Sequence, residues 1–326
     1  MPANHFDLVI LGTGVAGLSA GIYAGRYRMK TLVIGEEFGG ETASAGVIWN
    51  YPGVVSADGY ELAKIMKGQA EALGVEIKNG KALTISKEEH CFHIITDKGE
   101  YRANGIIFAV GTHRRRLGLP NEKELTGRGV HYCVTCDGPV YSGKTIAIAG
   151  GGDASVKGAN LAAEYSDKIY LLARGKEIVA EAINLEQMKK LSDKVEVLLE
   201  TEVKEIVGKE KLEKVVLSRP HKGSTDLVID GLFVEIGAVP NVDLATSLGV
   251  ELDEHGYIKA DAMMQTNIDG VFAAGDTVNH FGAFKQDITA SAMGAVAATS
   301  AYNDHKVHGE FCAVHAQPVK GRELSK

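Results

Sequence analysis

The chain has 326 residues, a formal net charge of −7, 45% hydrophobic and 24% charged residues. That balance excludes a disordered chain, and its acidity weighs against nucleic acid as a partner, because a general nucleic-acid binder presents a basic surface. No run of 18 apolar residues occurs, so no membrane span is expected, and the length allows about two domains at roughly 150 residues each.

Met1 to Asp7 lack a basic patch followed by a long apolar core, so a cytoplasmic protein is expected. Phe6–Leu11 is a short apolar run that predicts a buried strand. Gly12-Thr13-Gly14-Val15-Ala16-Gly17 follows, then an Ala- and Gly-rich stretch over Leu18–Tyr27 and a second buried strand at Thr31–Ile34. Strand, glycine turn, helix and strand make a βαβ unit of about 30 residues. In such a turn the first glycine permits the tight bend, the second lets backbone approach a pyrophosphate, and the third lets helix pack on strand. The diphosphate then lies at the helix N-terminus, where free N–H groups favour anions. Glu36, about 20 residues on, stands where an acid is expected to bind a ribose.

Gly105–Val110 is a further apolar run ending at Gly111. The basic run His113-Arg114-Arg115-Arg116 reads either as a phosphate or donor contact or as a solvated linker face. Four cysteines, Cys91, Cys133, Cys136 and Cys312, are too few for a disulfide scaffold. Two of them form Cys133-Val134-Thr135-Cys136-Asp137. A dithiol at this spacing can close a small disulfide ring and pass two electrons by thiol–disulfide exchange, and Asp137 is placed to handle the proton. A zinc site would need a second C-x-x-C or a remote Cys91, Cys312 or His; inert thiols are the third alternative.

A second nucleotide pattern starts at Thr145–Ala149, a strand. Gly150-x-Gly152-Asp153-Ala154-Ser155 is its turn, Val156–Tyr165 its helix and Lys168–Leu172 its next strand. An acid after that strand would suit NAD and arginines would suit NADP. Ala173-Arg174-Gly175-Lys176 offers Arg174 and Lys176 without a clean signature, so NADPH and NADH both stay open. Further strands are expected at Gly231–Ile236, ending at Gly237, and at Gly270–Ala274, ending at Gly275-Asp276. Residues 283–303 read as an Ala-rich helix, and His305–Lys326 as a flexible arm. The segments Arg114–Gly118 and Pro240–Leu244 mark two crossings. The expected fold class is therefore α/β, with two Rossmann-like three-layer dinucleotide-binding domains, the second (117–244) inserted in the first (1–116 and 245–326).

On GTGVAG at 12–17, GGET at 39–42, NYPG at 50–53, CVTCDG at 133–138, GGGDAS at 150–155 and FAAGD at 272–276, the chain resembles the low-molecular-weight thioredoxin reductases from about Phe6 to Asn303. The resemblance implies an FAD-dependent thioredoxin-disulfide reductase. FAD would lie along Gly12–Gly17, with Glu36 on its ribose and Gly40, Glu41, Asn50 and Gly111 nearby. Gly275 and Asp276 would reach the ribityl chain and diphosphate, and Gln286, Asp287 and Ile288 the isoalloxazine ring. Cys133 and Cys136 would form the active disulfide, Cys136 nearer the flavin, with Asp137 as general acid. Electrons would run from donor to FAD to disulfide to thioredoxin or a thioredoxin-like protein, in a homodimer.

The departures from the family pattern concern the donor. Glu41 replaces a glutamine, Lys157-Gly158 replaces two glutamates, and of the arginines that read a 2′-phosphate only Arg174 remains, with Val179 at a later arginine position. Relatives with an eroded site take electrons from NADH or from a carrier such as ferredoxin or reduced deazaflavin, which gives the rival reading. Among the remaining residues, Cys91 is expected to pack in a strand and Trp49 in the core or beside the flavin. Cys312, with His308 and His315 nearby, is expected to be either a relay or a free thiol.

Overall fold

The computed structural model describes residues 4–88, 91–282 and 284–308. Two compact units form, one from Met1–Thr112 with Pro240–Lys326, the other from His113–Val239. The crossings lie ahead of the expected 116/117 and 244/245. The cause is local: the Arg115 N–H donates to the Gly237 carbonyl at 2.9 Å and Arg114 pairs with Glu235 at 3.3 Å, which keeps the basic run within the second unit. On the return, the Asn241 N–H donates to the Gly111 carbonyl at 3.0 Å and the Asn241 side chain to the Val110 carbonyl at 2.8 Å, inside the first unit.

The first unit is built on a seven-stranded sheet among the described residues. Its parallel part runs in the order Glu76–Asn79, Thr31–Gly35, His5–Leu11, Gly99–Phe108, with Val271–Ala273 also paired to Gly99–Phe108. Cys91–Thr96 and Ala82–Glu88 continue it as antiparallel strands. His5–Leu11 is buried at all seven positions, which is why it reads as an unbroken apolar run and not as alternation. Two of its polar residues are held by neighbours: Asp7 Oδ2 accepts from the Lys30 N–H at 2.7 Å, and His5 meets Asn104 at 2.9 Å.

The helix Val15–Arg26 leaves the glycine turn and packs on the long helix Asp287–His308. That helix starts later than the expected residue 283 and runs past 303, into the expected arm. Small residues permit the approach: a Cβ at Gly294 would stand 2.1 Å from the Ala16 carbonyl oxygen. Ser19 Oγ donates to the Ser291 carbonyl at 2.7 Å, and Tyr27 stacks on Tyr302 at 4.5 Å.

The second unit holds a five-stranded parallel sheet, in the order Val130–His131, Gly231–Val234, Thr145–Ala149, Lys168–Leu172, Val195–Leu198. A three-stranded antiparallel sheet, Val203–Gly208, Leu212–His221 and Ser224–Val228, completes it. Among the described residues no helix is long and apolar enough to cross a membrane.

Candidate active site

In the first glycine turn, two glycines are demanded by the fold itself. A Cβ at Gly12, whose φ is +116°, would lie 2.0 Å from the Ala109 carbonyl oxygen, and one at Gly17 would lie 2.0 Å from that of Gly12. Gly14 is different. Its φ of −73° suits any residue, and a Cβ there would meet nothing closer than the Gly39 oxygen at 4.0 Å. The fold itself sets no demand for glycine at 14, the position where such a turn lets a pyrophosphate approach the backbone. The cradle is completed by neighbours. The Gly39 N–H donates to the Thr13 carbonyl at 3.0 Å, Thr13 Oγ1 donates to the Glu37 carbonyl at 2.9 Å, and a Cβ at Gly40 would reach Gly14 Cα at 3.5 Å. Glu36 is solvent-facing at the end of its strand and pairs with Lys81 at 2.9 Å.

The start of the last helix closes the far end. Thr42 Oγ1 donates to Asp287 Oδ1 at 2.7 Å, and Asn50 Nδ2 donates to Gln286 Oε1 at 2.8 Å. These bonds bring Glu41, Asn50, Gln286 and Asp287 to one place; Ile288 beside them is 37% exposed. Gly275 abuts the first helix, where a Cβ would stand 2.8 Å from Ala16 Cβ. Asp276 Oδ1 is buried with no hydrogen-bond partner among the described residues. Burial pushes the Asp276 carboxyl above its ordinary range; Lys285 opposes this, and the charges of Asp287 and Glu41 add to it. Burial likewise raises Asp287, against the hydrogen bond from Thr42. Lys285 sits 4.3 Å above the Tyr257 ring, its ammonium on the Val278 carbonyl, and burial pulls it below the ordinary lysine range. An open Gly14 and an unpaired buried carboxylate oxygen fit a dinucleotide that brings both a pyrophosphate and hydroxyl donors. FAD has both.

The second glycine turn follows the same logic. A Cβ at Gly150 would strike Ser155 Oγ at 2.1 Å, whereas Gly152 has nothing within 4 Å. Ser155, fully buried in the third position, donates to the Glu235 carbonyl at 3.0 Å and so ties helix to strand. Ala154 follows Asp153 in the first turn of the helix Asp153–Ala162. Burial pushes Asp153 up, but the Glu181 N–H, Asn184 and Lys157 together hold its carboxyl below the ordinary range. Arg174 and Lys176 are exposed beyond the strand Lys168–Leu172.

Cys133 and Cys136 are joined in a disulfide with Cα atoms 5.4 Å apart. Cys133 precedes the short helix Val134–Asp137, and its Sγ accepts the Cys136 N–H at 3.1 Å. Cys136 is exposed and Cys133 half-buried. Asp137 Oδ2 lies 3.0 Å from His131 Nδ1, and His131 Nε2 lies 2.7 Å from the Tyr141 hydroxyl.

A family model described as pyridine nucleotide-disulphide oxidoreductase matches residues 6–299. The chain belongs to that family. It is 38% identical over 301 residues to a thioredoxin reductase of Treponema pallidum (strain Nichols), covering 91% of this chain and 96% of the relative. The crystal structure of Lactococcus lactis thioredoxin reductase matches with a TM-score of 0.86 at 34% identity, covering 92% of this chain and 98% of that one. A ferredoxin-flavin thioredoxin reductase from Clostridium acetobutylicum is also similar, with a TM-score of 0.50, 33% identity and coverage of 93% and 99%.

In this pyridine nucleotide-disulphide oxidoreductase, several functional neighbours were not signalled by sequence. His131 and Tyr141 lie in no motif, and Thr42, the last residue of GGET, carries no role there; each gains meaning only from what it touches. Trp49 is 70% exposed, so it is not a core residue. Cys91, 2% exposed, does pack at the start of the strand Cys91–Thr96. Arg116 lies over the Tyr132 ring at 5.7 Å, so the basic run is in part engaged within its own unit. Cys312 and His315, with the rest of 309–326, lie outside the described residues, as does the side chain of His308.

Proposed function

We propose that this chain is an FAD-dependent thioredoxin-disulfide reductase in which the Cys133–Cys136 pair exchanges with a disulfide of thioredoxin or a thioredoxin-like protein. The carrying observation is the disulfide itself, followed by Asp137 and standing in a second dinucleotide-type unit inserted in the first. The unit Met1–Thr112 with Pro240–Lys326 holds FAD, through Gly12–Gly17, Glu36, Gly40, Glu41, Asn50, Gly111, Gly275, Asp276, Gln286, Asp287 and Ile288. FAD, when bound, supplies the two electrons that reduce the disulfide. Gly14 leaves room for the pyrophosphate, and Asp276 offers its unpaired oxygen to a hydroxyl. Once reduced, Cys133 attacks the partner; the Cys136 N–H at its sulfur favours its thiolate. Asp137 gives a proton to the departing sulfur and recovers one from Cys136 as the ring closes.

The electron source in this reading is NADPH or NADH, held at Gly150, Gly152, Asp153, Ala154 and Ser155 with Arg174 and Lys176 near the ribose. A second reading takes electrons from ferredoxin. It is favoured by the single remaining arginine, Arg174, and by the likeness to the ferredoxin-flavin thioredoxin reductase. Anaerobic flavin bleaching with NADPH, NADH or reduced ferredoxin decides between them. Rapid bleaching by a nicotinamide supports the first; bleaching by ferredoxin alone supports the second. A homodimer in the cytoplasm completes the proposal, and light scattering of the purified protein tests the dimer.

A further inference from the structure

We propose that His131 is a positioning residue for Asp137, fixing the carboxyl from which a proton passes to the departing thiolate. This rests on the reading of Cys133, Cys136 and Asp137 given above. His131 is 8% exposed, on the strand Val130–His131 two residues ahead of Cys133. Its ring is stacked on Phe233 at 5.3 Å and edge-on to Tyr141 at 5.4 Å. Tyr141 is 6% exposed, and it fits because Gly231 has no side chain: a Cβ there would lie 2.6 Å from the Tyr141 ring. The imidazole is therefore locked by packing.

Its two hydrogen bonds are both met by one neutral tautomer. Asp137 Oδ2 is an acceptor in the carboxylate and also in the carboxyl that holds its proton on the other oxygen, so Nδ1 carries a hydrogen toward it. A neutral ring protonated there has a free lone pair at Nε2, which accepts the Tyr141 O–H. Burial, then the charges of Asp137 and Asp230, push the Tyr141 phenol up, so it remains a donor. Lys144, with its ammonium 5.2 Å from the Tyr141 ring, is the cation on this side. The chain Tyr141–His131–Asp137 ends next to Cys136 in sequence, and no motif absorbs it.

The step it serves balances. Cys133 thiolate attacks one sulfur of the partner disulfide; that S–S bond breaks and a mixed disulfide forms. The departing sulfur takes the Asp137 proton. Cys136 then gives its proton back to the Asp137 carboxylate and attacks Cys133 sulfur, releasing the second partner sulfur as thiolate. The partner gains two electrons and the cysteine pair loses them.

The test uses the full-length FAD-loaded protein, reduced with dithiothreitol, desalted anaerobically and mixed in stopped flow with either of two disulfides. 2-Hydroxyethyl disulfide releases a basic alkyl thiolate that gains from protonation; 5,5′-dithiobis(2-nitrobenzoate) releases an acidic aryl thiolate that does not. In His131→Phe, which keeps the ring but makes neither hydrogen bond, the alkyl rate is expected to fall about 10- to 100-fold, as for a misplaced catalytic group. The aryl rate is expected to change less than about two-fold, since its leaving group needs no acid. His131→Gln, whose amide can donate to Asp137, should recover part of the alkyl rate. In an Asp137→Asn background His131→Phe should add no further loss.

Equal losses with both disulfides, or additive losses in the Asp137→Asn background, overturn the inference while leaving Asp137 in its role. An Asp137→Asn variant as fast as the parent with the alkyl disulfide overturns the role of Asp137, and the inference with it. If His131→Phe does not fold, His131→Gln and Tyr141→Phe carry the test: a smaller loss confined to the alkyl disulfide supports it, and no such selectivity overturns it.

Discussion

Thr42 Oγ1 donates a 2.7 Å hydrogen bond to Asp287, across 245 residues of chain. This bond favours the charged form of a carboxyl that burial pushes the other way. Thr42→Val keeps the shape and removes the donor. Urea unfolding of the flavin-free protein at neutral pH should show a loss of about 1–3 kcal/mol, with the cost shrinking in acid where Asp287 is protonated. Thr42→Ser should retain most of the stability. An unchanged unfolding midpoint in Thr42→Val would remove this bond from the account of the site.

Asp276 gives a pH signature of opposite sign to the usual aspartate. Its folded value is raised, chiefly by burial, so the folded state holds a proton that the unfolded state has already released. The stability linked to it is present below the ordinary aspartate range and is lost as pH rises through the raised value. Asp276→Asn in the flavin-free protein should therefore gain melting temperature relative to the parent as pH rises through that window. A difference that stays flat with pH contradicts the raised value.

Gly14 and Gly17 should fail in different ways. In Gly14→Val the Cβ meets nothing in the protein closer than the Gly39 oxygen at 4.0 Å, so the flavin-free variant should melt within about 2 °C of the parent, as harmless surface changes do. Its FAD content on purification should fall at least about 10-fold, through collision with the pyrophosphate. Gly17→Ala places a methyl group 2.0 Å from the Gly12 oxygen and should destabilise the fold itself. Stoichiometric FAD in Gly14→Val would refute the placement of the diphosphate.

Cys133→Ser should abolish disulfide reduction of thioredoxin while the protein stays yellow. Residual turnover above about 1% of the parent rate would show that the pair does not carry the chemistry, since a serine cannot replace a thiolate in disulfide exchange. Absorbance of the purified variant checks the flavin, and insulin reduction coupled through thioredoxin checks the turnover.

The strand-and-glycine skeleton was legible in sequence because most of it is local. Buried parallel strands appear as continuous apolar runs, and Gly17 is forced by Gly12 within the same turn, whereas Gly12 and Gly150 answer also to Ala109 and Glu235, just past the ends of distant strands. The C-x-x-C followed by Asp137 was equally plain. What sequence did not show is set by side-chain placement, whether across a short loop or across the chain. His131 and Thr42 are unremarkable until the fold sets them against Asp137 and Asp287. For Trp49 the core alternative falls, because its short segment, between Val47–Ile48 and the NYPG stretch, leaves it exposed. Arg114 and Arg115 look like linker in the sequence, but they bond to Glu235 and Gly237.

The bond between Asn50 and Gln286 also has a bearing on how the protein is made. Emerging from the ribosome, the segment His113–Val239 is complete before Pro240 appears, and domains fold as units during synthesis. The first unit must wait for its strand Val271–Ala273 and for the residues that meet Thr42 and Asn50. Cofactor capture is thus a late event in biogenesis. The cysteine pair is housed while its electron source still lacks a seat, so a nascent chain passes through a stage that has the cysteine pair but no flavin to reduce its disulfide.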